Sequence, residues 1–208
     1  MRRIGHRGAK GHAPENTRAS FEKAIELGCD EIETDVWLID GGALLISHDR
    51  PERGATGLLT LDEALDFCRG RVAVNVEIKC AGSDAFARQT GTHVARRLRE
   101  RADPDVYVSS FWYAALAGAR EAAPDVRRAF VFGAAPEMGA LLTQARSAEL
   151  WALHPERHYV TPERVAAAHD AGLTVNVWTV NDAPEIAQLA AWGVDGIMSD
   201  YPERVPKS

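Results

Sequence analysis

Short runs of aliphatic and β-branched residues alternate along this chain with alanine-rich stretches whose apolar positions recur at helical spacing. After an apolar start at 4–6, the pattern predicts strands at 31–37, 43–48, 72–78, 106–110, 128–132, 150–153, 173–180 and 196–199. It predicts helices at 17–27, 61–68, 85–100, 113–122, 137–146, 162–171 and 184–192, with Gly28 and Gly172 as stops of the first and sixth. Such alternation implies a parallel sheet with helices outside it. About eight strand–helix steps, with one extra strand near residue 45, is the count of an α/β (β/α)8 TIM barrel. The 208 residues stand at the lower end of that fold's range of about 200 to over 400. An open doubly wound sheet would call for a glycine-rich phosphate turn after its first strand, and Gly5-His6-Arg7-Gly8 does not supply one. Residues 1–208 are expected to form one barrel domain.

Strands covered on both faces normally read as near-continuous apolar runs. Two strands break that rule. In 31–37, the period of two puts Glu31, Glu33 and Asp35 on one face. In 72–79, Ala73, Asn75, Glu77 and Lys79 share one face and Val72, Val74, Val76 and Ile78 the other. With the apolar faces against helices, the polar ones look into the barrel. Glu33, Asp35 and Glu77 then fall near C-terminal strand ends, where barrel enzymes keep their chemistry. Converging carboxylates repel one another, and burying them is costly unless they are paired or bound to metal. A divalent cation resolves the conflict, and an all-oxygen ligand set points to Mg²⁺ or Ca²⁺ rather than Zn²⁺. The competing possibility is salt bridging to Lys79 and Arg7, or an exposed edge strand. Glu31, at its strand's start, reads as a surface acid at the barrel bottom.

His6 follows the first strand and His48 ends the Leu44-Ile46-His48 face, so both fall at C-terminal strand ends. Two histidines across one pocket suit a general acid and a general base, because their pKa lies near neutrality. Either alone would read as a hydrogen-bonded core histidine. His154, before Pro155, could line the same pocket, whereas His12, His93, His158 and His169 lie in loops or on helices. Arg7 and Lys79 stand beside the carboxylates. With one divalent ion the set carries a single net positive charge, which matches a monoanion such as a phosphodiester. Arg and Lys are the usual clamps on a transferring phosphoryl group.

The formal charge of −6 argues against a phosphate-tracking surface, so nucleic acid is not expected as a partner. Cys29, Cys68 and Cys80 form no CxxC and read as small buried hydrophobes in a reducing compartment. No apolar run follows Met1-Arg2-Arg3, and none approaches the roughly 20 residues of a membrane span. A cytoplasmic protein without stable membrane insertion is expected.

Along the chain come His6-Arg7-Gly8, Pro14-Glu15-Asn16-Thr17, Glu33-Thr34-Asp35-Val36, Asp40-Gly41, His48-Asp49 and Glu77-Ile78-Lys79. Val177-Trp178-Thr179-Val180-Asn181 and Gly193-Val194-Asp195-Gly196-Ile197 follow. This ordered set resembles the glycerophosphodiester phosphodiesterase family from one end of the chain to the other. The resemblance implies a TIM barrel and a metal-dependent hydrolase that converts small glycerophosphodiesters to sn-glycerol 3-phosphate and an alcohol. It implies that Glu33, Asp35 and Glu77 hold one divalent cation and that His6 and His48 are the acid–base pair. It places Arg7 and Lys79 on the phosphate and Trp178 near the glycerol end. Thr17 is expected to cap the following helix, while Glu15 and Asn16 are left open between a local role and the metal's surroundings. Asp195-Gly196 reads as a turn into the last strand.

Members of that family often carry a longer segment after the His48-Asp49 equivalent, forming a small cap. Here Arg50-Pro51-Glu52-Arg53-Gly54-Ala55-Thr56-Gly57 leaves only an ordinary loop before the next helix. A reduced cap and a more open pocket are expected, with no full helix after Asp200. One rival is a lysophospholipase D- or phospholipase C-type enzyme acting on lipid, which would want an apolar mouth. Phe111, Trp112 and Tyr113 are read instead as packing a helix start. A second rival is an inactive barrel serving as a binding module, although no acid, histidine or lysine of the motif set is missing.

Overall fold

The structure, a computed structural model, describes residues 1–207 apart from 40 and 135, so Asp40 of the sequence motif lies outside the described residues. Nine strands occur among the described residues: β1 (Arg2–His6), β2 (Glu31–Leu38), β3 (Leu44–Ile46), β4 (Ala73–Lys79), β5 (Val106–Ser110), β6 (Arg128–Phe132), β7 (Ala152–Pro155), β8 (Thr174–Val177) and β9 (Gly196–Ser199). All but β3 pair in parallel, in the order β1-β9-β8-β7-β6-β5-β4-β2, and β1 pairs back onto β2. The ring is closed, which makes the fold a TIM barrel and removes the open-sheet alternative. β3 runs antiparallel to β2, with Val36 opposite Ile46, and lies outside the ring.

Seven helices follow the strands among the described residues: α1 (Arg18–Glu26), α2 (Leu61–Cys68), α3 (Asp84–Arg101), α4 (Tyr113–Ala122), α5 (Met138–Ser147), α6 (Pro162–Asp170) and α7 (Ala183–Ala191). Among the described residues after β9, the helical structure is a single 3-10 turn, Pro202–Arg204. Thr17 and Thr60 begin α1 and α2 with reciprocal capping boxes to Ser20 and Glu63. α3 and α4 touch where Gly91 faces the Ala115 carbonyl and Gly118 the Arg88 carbonyl, approaches that no Cβ would permit. Ile32, Val36, Val74, Val76 and Ile78 turn outward from β2 and β4 into the apolar core beneath the helices. This leaves the alternate, polar positions for the barrel interior.

Three predicted strands differ in extent. β3 stops at Ile46, so His48 lies two residues beyond it instead of ending it. β7 begins at Ala152 because Leu150 is still tied to helix α5, its N–H donating to the Ala145 carbonyl. β8 ends at Val177, and Trp178 continues only as an isolated bridge to Glu156. Between Ser47 and Leu59 the described chain forms loops and turns, consistent with a reduced cap. No helix among the described residues is long and apolar enough to cross a membrane.

Glu31 corrects the expectation of a surface acid. It lies at the barrel bottom but is completely buried. Its carboxylate accepts hydrogen bonds from the Tyr107 hydroxyl at 2.6 Å and from Arg2 Nη1 at 2.9 Å. Trp151 and Arg127 stack around this floor, the Arg127 guanidinium 4.6 Å from the indole centroid. The barrel is therefore blind at that end.

Candidate active site

Register builds the centre of the site. His6 of β1 pairs with Glu33 of β2, Glu33 with Asn75 of β4, and Asp35 with Glu77. One carboxylate oxygen from each of Glu33, Asp35 and Glu77 lies within 4.8 Å of the other two, and all three residues are buried. Burial and the facing Asp35 and Glu77 charges push the Glu33 carboxyl well above its usual range. Glu77 is also raised by burial, with Lys79 opposing that shift. Glu33 Oε1 is buried without a hydrogen-bond partner.

The cations are tied to this cluster. Lys79 Nζ stands 2.6 Å from Glu77 Oε1 and 3.1 Å from Asp35 Oδ1. Burial works against its charge, but the Glu77 and Asp35 carboxylates outweigh it and carry the ammonium up to about 12. The Arg7 backbone N–H donates to Glu33 Oε2 at 3.0 Å, and Arg7 Nε lies 3.3 Å from Asp35 Oδ2. Arg7 Nη1 reaches Glu15, placing that acid outside the three-carboxylate cluster. Asn16 sits directly behind the cluster, its amide donating to Asp35 Oδ2 at 2.9 Å while its carbonyl oxygen accepts from Thr34. Arg7 and Asn16 both adopt left-handed backbone, with φ of 52° and 57°. Non-glycine residues held there mark a segment fixed by its surroundings, as functional loops often are.

The two histidines approach from different sides. His6 Nδ1 lies 2.7 Å from Asp200 Oδ1, just beyond β9. Asp200 is itself held by Asn181 Nδ2 at 2.8 Å, and its backbone N–H donates to Asn181 Oδ1. Burial lowers the His6 pKa, with the Asp200 hydrogen bond opposing. His48 follows β3. The hairpin returns the chain to the mouth, where Ser47 N–H donates to the Asp35 carbonyl and Trp37 Nε1 to the His48 carbonyl. Its imidazole is more exposed than that of His6 and faces the Asp49 carboxylate at 2.9 Å.

His6, His48, Arg7, Lys79, Glu33, Glu77 and Trp178 line one cavity of about 220 Å³. Asn75 and His154 form part of its lining as well. Trp178 Nε1 donates to the His154 carbonyl at 2.8 Å, and the Phe111 ring meets the indole edge-on at 5.5 Å. The barrel thus brings the sequence-selected cations, histidines and acids to one end, with Asn16 directly behind Asp35 and Glu15 beyond Arg7.

A profile of the Glycerophosphoryl diester phosphodiesterase family matches residues 6–58 and 50–204. The chain belongs to this family. A glycerophosphodiester phosphodiesterase of Bacillus altitudinis is 27% identical over 241 residues, covering 98% of this chain and 96% of its own. One from Caldanaerobacter subterraneus subsp. tengcongensis is 29% identical over 233 residues, covering 96% and 94%. An Oleispira antarctica phosphodiesterase, solved in complex with the product sn-glycerol-3-phosphate, superposes with a TM-score of 0.86 at 26% identity and covers 97% of this chain and 94% of its own.

Within this member of the family, two residues of the site depart from the sequence reading. Asp200 carries no sequence signal beyond its place after a barrel strand, and sequence reasoning missed it. Phe111 does not pack a helix start: it is 41% exposed and forms part of the cavity wall. The reading holds for its neighbours, since Tyr113 stacks on Phe130 at 3.9 Å and Trp112 precedes α4 as a half-buried residue. Thr17 caps as expected, and Asp195 accepts from Val175 N–H at the turn into β9.

Proposed function

We propose that the protein is a metal-dependent phosphodiesterase that hydrolyses glycerophosphodiesters to sn-glycerol 3-phosphate and an alcohol, with His6 and His48 as its acid–base pair. The observation that carries this reading is the convergence of three buried carboxylates with two histidines and two cations at one end of the barrel, where Glu33 and Glu77 line the same blind cavity as His6, His48, Arg7 and Lys79. The residues fit a hard divalent ion: the donors are all oxygens, Glu33 Oε1 lacks any protein partner, and Arg7 and Lys79 offset only two of the three carboxylate charges. Glu33, Asp35 and Glu77 would hold Mg²⁺ or Ca²⁺, which when bound supplies positive charge to a phosphate oxygen and balances the three acids.

Arg7 and Lys79 then orient the phosphate and spread the charge that develops on it. Asp200 holds His6 Nδ1–H, leaving the Nε2 lone pair for the cavity, and burial favours the neutral ring. His6 is the base: Nε2 takes the proton of the attacking hydroxyl as its oxygen bonds to phosphorus. His48 is the acid. It gives a proton to the alcohol oxygen as the phosphorus–oxygen bond to the leaving group breaks. The attacking hydroxyl is that of water, or the neighbouring hydroxyl of glycerol with water opening the cyclic phosphate afterwards.

Phe111, exposed beside Trp178, supports a second reading in which the diester bears an acyl chain. A panel of glycerophosphocholine, glycerophosphoethanolamine and lysophosphatidylcholine separates the two, with products identified by phosphorus NMR. Release of sn-glycerol 3-phosphate from the first two supports the main reading. Turnover of the lysophospholipid alone supports the second.

A further inference from the structure

The bottom of the cavity holds polar groups that the proposed reaction does not use. Asn75 is 1% exposed and His154 completely buried, yet both line the same cavity as the carboxylates and histidines. Both side-chain atoms of the Asn75 amide lack a hydrogen-bond partner, and so does His154 Nδ1. Buried polar atoms are nearly always satisfied, so orphans facing a cavity mark a ligand or ordered water.

The donors and acceptors can be assigned. The Asn176 amide nitrogen lies 3.2 Å from His154 Nε2 and can only donate, so Nε2 accepts. His154 stays neutral, since burial and the nearby Arg2 drive its pKa down to about 3. Its proton is therefore on Nδ1, a donor without a protein partner on a residue that lines the cavity. Asn75 adds one acceptor oxygen and the two N–H donors of its amide. A hydroxyl, which accepts and donates at once, complements that pair better than a charged or an apolar group.

Location decides which part of a substrate reaches it. Asn75 lies one strand period deeper than Glu77 on β4, and the Tyr107 ring, 6.0 Å from that of His154, closes the barrel below. A leaving group of variable size needs the open mouth, so the blind end takes the small invariant part. We propose that Asn75 and His154 form a hydroxyl-binding subsite for the glycerol end of the substrate and select a polyol phosphate over an alkyl one. This rests on the phosphodiesterase reading above.

The test compares two probes of equal chain length on the metal-loaded protein by calorimetry: sn-glycerol 3-phosphate and propyl phosphate, which lacks the hydroxyls. The wild type should bind the first at least about tenfold tighter, the value of a recovered buried hydrogen bond. Asn75→Ala and His154→Phe should each shrink that preference towards unity, and His154→Asn, which keeps a donor near the Nδ1 position, should retain part of it. Equal affinities in the wild type overturn the proposal without recourse to any variant. So does an unchanged preference in both variants, or an equal loss of both probes, which would mark a structural role. Failure of the wild type to hydrolyse any glycerophosphodiester would defeat the catalytic reading instead, and the two-probe comparison would still report on the subsite.

Discussion

Asp200 Oδ1 stands 2.7 Å from His6 Nδ1, joining the segment after the last barrel strand to the end of the first. The pair spans almost the whole chain, and it exists because β9 closes on β1. A carboxylate in that place fixes the imidazole's tautomer and supports the imidazolium that forms during proton abstraction.

Asp200→Asn should therefore lower kcat by at least about 100-fold with a small change in KM, as removal of a histidine's orienting carboxylate does elsewhere. The Asp200 hydrogen bond raises the His6 pKa against burial, Arg7 and Lys10, which lower it. A base works when unprotonated, so activity rises with pH through that pKa. Loss of the carboxylate should move the acid limb of kcat/KM to lower pH. A pH–rate profile of wild type and variant checks this, and an unchanged limb with full activity contradicts the role.

Removing a carboxylate from the cluster should separate stability from metal binding. Glu33→Gln relieves repulsion from Asp35 and Glu77, so the metal-free variant should unfold at or above the wild-type temperature. The wild type should gain about 2.7 kcal/mol at a metal concentration 100 times its Kd, and the variant should gain little. Differential scanning calorimetry with and without Mg²⁺ or Ca²⁺ reads both effects. A variant stabilised by metal as much as the wild type would remove Glu33 from the ligand set.

His154 gives stability a pH slope of known sign. Its pKa is about 3 in the fold, lowered by burial, against 6.5 for the ordinary side chain. Between those values the unfolded chain binds the extra proton. Its contribution is thus complete above pH 6.5 and lost as pH falls towards 3, at about 1.4 kcal/mol per unit. Glu33 and Glu77, with raised pKa, pull the other way, but they cancel when His154→Asn is compared with the wild type. Urea unfolding from pH 7 to 4 should show a shallower loss of stability in the variant, and parallel curves would contradict the burial argument.

The barrel floor should matter for stability alone. Tyr107→Phe removes the 2.6 Å hydrogen bond to buried Glu31 and should cost about 1–3 kcal/mol. Thermal unfolding measures that loss. Loss of turnover in a variant that still unfolds cooperatively would show that the floor reaches the chemistry.

Residue spacing exposes much of this site and hides the rest for a physical reason. Glu33, Asp35 and Glu77 are legible because a strand covered on both faces rarely tolerates polar residues at every second position unless they serve a site. His6 is legible because it ends a barrel strand, whereas His48 lies beyond β3, and the antiparallel hairpin with β2 brings it to the mouth. Glu31 misleads because the partners that allow its burial, Arg2 and Tyr107, come from other strands, 29 and 76 residues away. Asp200 leaves no local pattern, since its meaning depends on a partner 194 residues distant. Phe111 illustrates the same limit: an aromatic residue after a strand reads as packing until the position of Trp178 is known.

If the three acids hold a divalent cation needed to hydrolyse a glycerophosphodiester, turnover must follow the metal. The most direct measurement is sn-glycerol 3-phosphate release from glycerophosphocholine by metal-stripped protein, before and after separate addition of Mg²⁺ and Ca²⁺. Release should be negligible without metal, restored by at least one ion in the wild type, and absent in Asp35→Asn. Full turnover by the stripped protein, or by Asp35→Asn at limiting metal, would contradict the requirement for metal.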